Sequence, residues 1–395
     1  MTNLRVKRFD DETILSLFGA QAAEDDKPDQ LKSYYIKNKA YDRARANIPL
    51  RIIVGHKGVG KSALLKMLYL EDTSNDTLSI WLQPNDLART WSVQGSFVEK
   101  VEGIKRNIIS IIAEKSFDKL EIFGKEVSSI PGLNSARSLI RVLLKGLEDE
   151  EQATAEARIA LEFKKSKSIN IYIDDIDRGW AATQNDVENI SALINAARDL
   201  VNQDQSAGLR FLIGIRSDAY NLVREHDESG DKFEPYKVPI TWTNHEILVL
   251  MAKRISNFFE VEFDENHFLT RQFGAQAEVA RFLHPIIVDT FEASGHWEKR
   301  PIHNVLLSLT RRRPRDLVKL LAGAAQTSDK RDRNQITTSD LTESFPEYSK
   351  GRVTDLISEF RSELPEVERV LWLCCTNRGV TALPLSPDGF SLRPQ

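Results

Sequence analysis

Gly55-His56-Lys57-Gly58-Val59-Gly60-Lys61-Ser62 has the spacing G-x-x-x-x-G-K-S and carries the clearest chemistry in the chain. Glycines at these places permit the backbone angles that turn successive N–H groups inward around an anion. A helix starting at the lysine would add the partial positive charge of its N-terminus. In such a cradle Lys61 reaches the β and γ phosphates of a nucleoside triphosphate, and the Ser62 hydroxyl ligates Mg²⁺. The expected contact set is Gly55, His56, Lys57, Gly58, Val59, Gly60, Lys61, Ser62 and Ala63. The expected cofactors are ATP and Mg²⁺.

A second constellation follows a little over one hundred residues later. Ile171-Tyr172-Ile173-Asp174-Asp175 is an apolar run ending in two carboxylates. Hydrolysing a phosphate anhydride needs one acid to hold Mg²⁺ and another to orient the attacking water. Asp174 fits the metal role, with Ser62, and Asp175 fits the water role. The competing reading is a helix cap or an exposed acidic loop, since Asp177 lies there too.

Two arginines complete the catalytic set of Lys61, Asp175, Arg216 and Arg315. Arg216 ends the run LRFLIGIR, where a guanidinium could meet the γ phosphate and stabilise transition-state charge. Its bland alternative is a salt bridge with Asp218. Arg315 lies in RRRPRDL, at the start of a helix. From Arg311 to Arg333 basic residues outnumber acidic ones. That segment reads as a lid arginine over phosphates, as a nucleic-acid patch, or as a solvated basic face. A GTPase is disfavoured because no N-K-x-D motif is present, and a kinase because no second substrate site is recognisable.

These residues need elements to hold them. Apolar runs at Leu50–Val54, Leu78–Leu82, Ile169–Ile173 and Leu209–Ile215, with a short one at Lys237–Ile240, predict five strands. Helical spacing between them predicts helices over Ser62–Leu70, Phe97–Leu120, Ser135–Phe163 and Asp186–Val201. Strands alternating with helices imply a parallel sheet with helices on both faces. Thr243 to Glu246 has capping-box spacing and opens a helix to Phe259. Residues 275–325 and 338–373 read as helices. Asp26 and Pro28 mark an earlier helix start, with Asp26 as its cap. The resulting division is a helical lead-in 1–47, a nucleotide-binding domain 48–260, a helical lid or C-terminal domain 261–373, and an irregular tail 374–395.

Bulk properties narrow the class. Hydrophobic residues make up 41% and charged residues 28%, a globular balance, and a net charge of -4 gives no global pull toward nucleic acid. The two cysteines, Cys374 and Cys375, are adjacent and form no CxxC pair, so neither a disulfide framework nor a zinc site is expected. No apolar run is long enough to span a membrane, and the charged N-terminus lacks a signal-peptide core. A cytoplasmic location is expected.

Together the segments FGAQAAEDD, IIVGHKGVGKSALLKML, IYIDDIDRGW, FLIGIRSD, VPITWTNHEILVLMAKRI and RRRPRDLVKLL resemble a family of bacterial P-loop ATPases. That family is related to the AAA+ and STAND classes and to origin-recognition-type ATPases, and the resemblance covers Phe18 to Leu371. It implies an ASCE-type sheet with the acidic strand next to the cradle strand, followed by a helical lid. It also implies a first-sensor role for Arg216 and a second-sensor role for Arg315. Tyr34 or Tyr35 would lie near the adenine, although helix core is the preferred reading for both. No trans-acting arginine finger stands out; Arg178 and Arg198 are candidates. Relatives often continue into a winged helix, whereas this sequence stops soon after the lid. Several such relatives look like parts of phage-defence or DNA-maintenance systems.

The expected function is an ATPase that couples ATP·Mg binding and hydrolysis to lid movement and assembly. The alternatives are a slowly hydrolysing STAND-like switch or scaffold, and a DNA-binding ATPase using Arg311 to Arg333. Expected partners are another copy of the chain or an effector protein.

Overall fold

The computed structural model describes residues 4–20, 26–75, 77–93, 95–120, 168–203, 208–226, 230–271, 275–361 and 364–376. The expected helices over Ser135–Phe163 and the final 19 residues of the tail lie outside the described residues. The chain divides into two compact units. One comprises Lys39–His56 and Lys61–Ile240; the other comprises Met1–Asn38, Lys57–Gly60 and Thr241–Gln395.

The first unit is built on five parallel strands: β1 (Leu50–Gly55), β2 (Leu78–Leu82), β3 (Ile169–Ile173), β4 (Leu209–Arg216) and β5 (Lys237–Pro239). Every residue of β1 and β3 is buried. Strands covered on both faces read as continuous apolar runs, which is why LRIIV and INIYI announce themselves without alternation. Helices Lys61–Ser74, Phe97–Leu120 and Gln184–Gln203 belong to this unit. Ile104, Ile108, Leu193 and Ile194 share one buried cluster with Ile52, Ile171 and Phe211 of the sheet. Each such side chain contributes about 1.5–3 kcal/mol of transfer free energy.

The strand order is β2-β3-β4-β1-β5. This corrects one expectation. The acidic strand β3 is not next to the cradle strand β1, because β4 lies between them, pairing Ile213 with Ile173 on one side and with Ile52 on the other. Chain order does not set sheet order, and β3 and β4 are equally apolar, so no local pattern distinguished the central position. In this register Arg216 lies beside Gly55.

The second unit is helical. It holds Asp11–Phe18, Pro28–Tyr34, Asn244–Phe258, Ile302–Leu309, Pro314–Asp329, Thr338–Phe360 and Val367–Thr376, besides shorter pieces. The capping box is formed: the Thr243 hydroxyl accepts the Glu246 N–H at 3.1 Å, and Glu246 accepts the Thr243 N–H at 2.7 Å. Leu248, Leu283, Leu306, Leu321 and Leu341 share its buried core. The boundary after the sheet unit thus falls at Ile240, and the helix opened by Thr243 belongs to the helical unit. The expected helices over residues 275–325 include Gln276–Ala280, Ile302–Leu309 and Pro314–Asp329, with the stretch between Leu283 and Ile302 outside helix. The last helix runs to Thr376, into the segment read as tail.

Asp26 is not the cap of the helix starting at Pro28; Lys27 occupies that place without a side-chain bond. Asp26 accepts the Ala20 N–H at 2.7 Å and the Tyr34 hydroxyl, 5% exposed. The Arg254 guanidinium sits 3.9 Å from the Tyr34 ring centroid. Tyr34 is therefore helix core, as preferred. Among the described residues no helix is long and apolar enough to cross a membrane.

Candidate functional site: a phosphate cradle and an acidic strand end

β1 ends at Gly55 and the next helix begins at Lys61. Between them Gly58 has φ +81° and Gly60 φ +96°, left-handed values that any side chain would strain. Two of the motif glycines are therefore required by the turn itself.

The flanks of the loop belong to the sheet unit. There the Lys61 ammonium folds back and donates to the carbonyls of Gly55 at 2.9 Å and His56 at 3.3 Å. Burial holds its pKa below the ordinary lysine value, opposed by Asp177, Asp174 and Asp175 in that order. His56 Nδ1 meets the Ser217 hydroxyl at 3.0 Å.

Asp174 is 6% exposed at the end of β3. Burial raises its pKa to about 6, helped by the Asp175 charge and opposed by a hydrogen bond from Ser62. The Ser62 side chain thus lies close enough to influence the Asp174 carboxyl. The other Asp174 oxygen, Oδ1, is buried without a partner. Gly214 of β4 leaves that oxygen its room, since a Cβ there would lie 2.8 Å from it. Asp175 follows in a left-handed conformation at φ +54°. Asparagine and aspartate tolerate that region better than most residues, at some strain.

The donor set fits Mg²⁺. It offers one hydroxyl, one buried carboxylate with an oxygen to spare, and a neighbouring acid. Among the described residues no cluster of His, Cys, Asp or Glu could hold a metal alone. Mg²⁺ takes few protein ligands and fills its sphere with water and substrate phosphate.

Asp177 was read as background, and its position is more central. It is 8% exposed, accepts the Arg216 backbone N–H at 3.0 Å, and stands 3.8 Å from Arg216 Nε. It is also the carboxylate that most raises the Lys61 pKa. Its spacing, two residues past Asp175 at a strand end, was the available signal. The Arg216 guanidinium is engaged side-on by Asp218, Nε to Oδ1 at 3.1 Å. This is the salt bridge set against its sensor role.

The tip of the loop, Lys57–Gly60, is grouped with the helical unit. Arg315 stands in the first turn of its helix with its stem against Gly58; a Cβ on Gly58 would lie 3.3 Å from Arg315 Cβ. Arg315 Nε is buried without a partner. The Trp242 indole N–H donates to the Val59 carbonyl at 2.7 Å, and Lys57 Nζ lies 3.9 Å from Asp355.

Half of the basic residues in the segment are paired with acids. Arg313 pairs with Glu359, Lys319 with Asp355, and Arg331 and Arg333 with the fully buried Asp340. Arg198 lies 5.6 Å from the Phe233 ring centroid and has a buried, unpartnered nitrogen, so it is packed inward; Arg178 is exposed.

Comparisons with known proteins are remote. The model of the FunZ-associated C-terminal helical domain matches residues 275–357. A putative transposon gamma-delta 80.3 kDa protein of Escherichia coli K12 is 21% identical over 211 residues, covering 53% of this chain. The chain spans only 27% of that relative's length. Among solved structures, the Aeropyrum pernix ORC2 protein in ADPNP–ADP complexes is 12% identical, with TM-score 0.40, covering 78% of this chain and 67% of that one. The Thermotoga maritima RuvB Holliday junction branch migration motor is 11% identical, with TM-score 0.36, covering 82% and 72%. The fold itself is a five-stranded parallel sheet with flanking helices, followed by a C-terminal helical region.

Proposed function

We propose that the chain is an ATPase that binds ATP with Mg²⁺ at the loop Gly55 to Ser62 and uses hydrolysis to change the state of its helical unit and its assembly. One observation carries the reading. The loop turns on two positive-φ glycines into the helix that starts at Lys61, and the nearby Ser62 faces a buried Asp174 carboxyl at the end of another strand, with one oxygen left without a partner. A chance sequence match would not bring them together.

The residues divide the work. Loop amides and the Lys61 ammonium bind the β and γ phosphates. Ser62 and Asp174 would hold Mg²⁺, which would neutralise charge on the phosphate oxygens. Asp175 orients the attacking water. Arg216, released from Asp218, would meet the γ phosphate, and Arg315 is the candidate second sensor. The partner is a second copy of the chain or an effector protein, in a bacterial defence or DNA-maintenance setting.

Lys61→Ala is expected to abolish nucleotide binding. Asp175→Asn is expected to keep binding and stop turnover; undiminished hydrolysis would remove Asp175 from catalysis. A second reading is a slow switch that loads ATP and hardly turns over. It is favoured by the Asp218 grip on Arg216, which withholds a catalytic charge. Comparing single-turnover with steady-state hydrolysis separates the two. A DNA-binding role for Arg311 to Arg333 draws less support, because four of those cations already have acidic partners. A steep salt dependence of DNA affinity would restore it.

A further inference from the structure

Trp242 lies between β5 and the helix Asn244–Phe258, one residue before the capping Thr243. An apolar residue before a cap commonly packs on the first helical turns, and Leu or Phe would serve that purpose. Such packing gives no use to the indole N–H. Here that N–H donates at 2.7 Å to the Val59 carbonyl, at the tip of the loop.

The bond constrains more than the carbonyl. The Val59 C=O and the Gly60 N–H belong to one peptide unit, which is planar and trans, with the two groups pointing in opposite directions. Holding the carbonyl toward the indole turns the Gly60 N–H away from it. Gly60, which follows that plane at φ +96°, has no side chain to restrict it. Left alone, the peptide could flip and present its carbonyl to an anion. Trp242 is itself well anchored: its ring packs against the helical core, and its neighbour Thr243 is fixed by the capping box.

We infer that Trp242 is a positioning residue for phosphate binding. It holds the Val59–Gly60 peptide so that the Gly60 amide faces the bound polyphosphate. This rests on the phosphate-cradle reading proposed above.

The test is calorimetric titration of MgADP and of a slowly hydrolysed MgATP analogue into wild type, Lys61→Ala and Trp242→Phe, with melting curves of each nucleotide-free protein. A lost neutral hydrogen bond predicts affinity about three- to tenfold weaker for both ligands in Trp242→Phe. The nucleotide-free melting temperature should not move. In steady state KM should rise while kcat holds, since the amide serves ground and transition states alike. Unchanged affinity overturns the inference. If Trp242→Phe melts early, incorporating the benzothiophene analogue of tryptophan at this position decides, because it keeps the shape and lacks the N–H. Weaker binding then supports the inference and wild-type binding overturns it. Wild type that binds, with Lys61→Ala that does not, keeps the cradle reading whatever Trp242 does. Wild type that binds neither ligand brings down both.

Discussion

Gly214→Ala is the sharpest probe of the acidic strand end. Gly214 sits within β4, in register with Ile53 of β1. An added Cβ would lie 2.8 Å from Asp174 Oδ1 and 2.9 Å from Leu65 Cδ1. Comfortable contacts between such atoms begin near about 3.5 Å, so both neighbours intrude by more than half an ångström. One of them must move. Leu65 is fully buried, whereas the Asp174 carboxyl is a short side chain that can rotate about its own bonds. Overpacking of this size costs about 1–3 kcal/mol if nothing yields. Rotation relieves it but turns the carboxyl away from Ser62, and with it, on the proposed reading, the main protein ligand for Mg²⁺. The expected result is a modest loss of stability and a loss of about 1.4 kcal/mol or more, tenfold, in the Mg²⁺-dependent part of nucleotide binding. Titrating ADP with Mg²⁺ and with chelator isolates that part. Binding without Mg²⁺ should stay near wild type, and Asp174→Asn should show the same pattern. A Gly214→Ala protein with the wild-type ratio of the two affinities would refute the placement of Asp174 as metal ligand.

Three further outcomes follow from other sites. Gly351, exposed inside the helix Thr338–Phe360 with nothing near its missing Cβ, should accept alanine with a gain of about 0.5–1 kcal/mol, read from the denaturant midpoint. Arg254→Met should destabilise by about 1.5–3 kcal/mol in the same assay, because the Phe18 carbonyl loses its charged donor and the Tyr34 ring the cation over it. For Asp174, burial raises the folded-state pKa from 3.8 to about 6. Between those values the folded chain keeps a proton that the unfolded chain releases, so metal-free stability should fall as pH rises across that window, by up to about 3 kcal/mol. Asp174→Asn should flatten that slope; an unchanged slope would assign it to another group.

Local patterns were legible where the physics is local. The G-x-x-x-x-G-K-S spacing, the apolar strands and the Thr243 capping box all depend on neighbours a few residues away, and each is found within a residue or two of its expected place. What escaped depends on distant partners. The insertion of β4 between β1 and β3 is decided by pairing across more than 150 residues of chain, about which apolar runs say nothing. Asp26 looked like a cap because Pro28 follows it, but Ala20, Tyr34 and Arg254 claim it instead. Arg216 could be placed at a strand end, yet its engagement by Asp218 and Asp177 is a matter of rotamers. Trp242 carried no sequence signal for Val59, 183 residues earlier.

The backward fold of Lys61 has an energetic corollary. The Lys61 ammonium rests on the carbonyls of Gly55 and His56, two internal ligands from the loop's own backbone. An arriving anion must displace that arrangement, giving up about 0.5–1.5 kcal/mol per bond, or more for a charged donor. Chloride or a lone carboxylate offers too few contacts in return. On the proposed reading a chain of linked phosphates offers several at once, so the lysine would favour polyphosphate over simple anions.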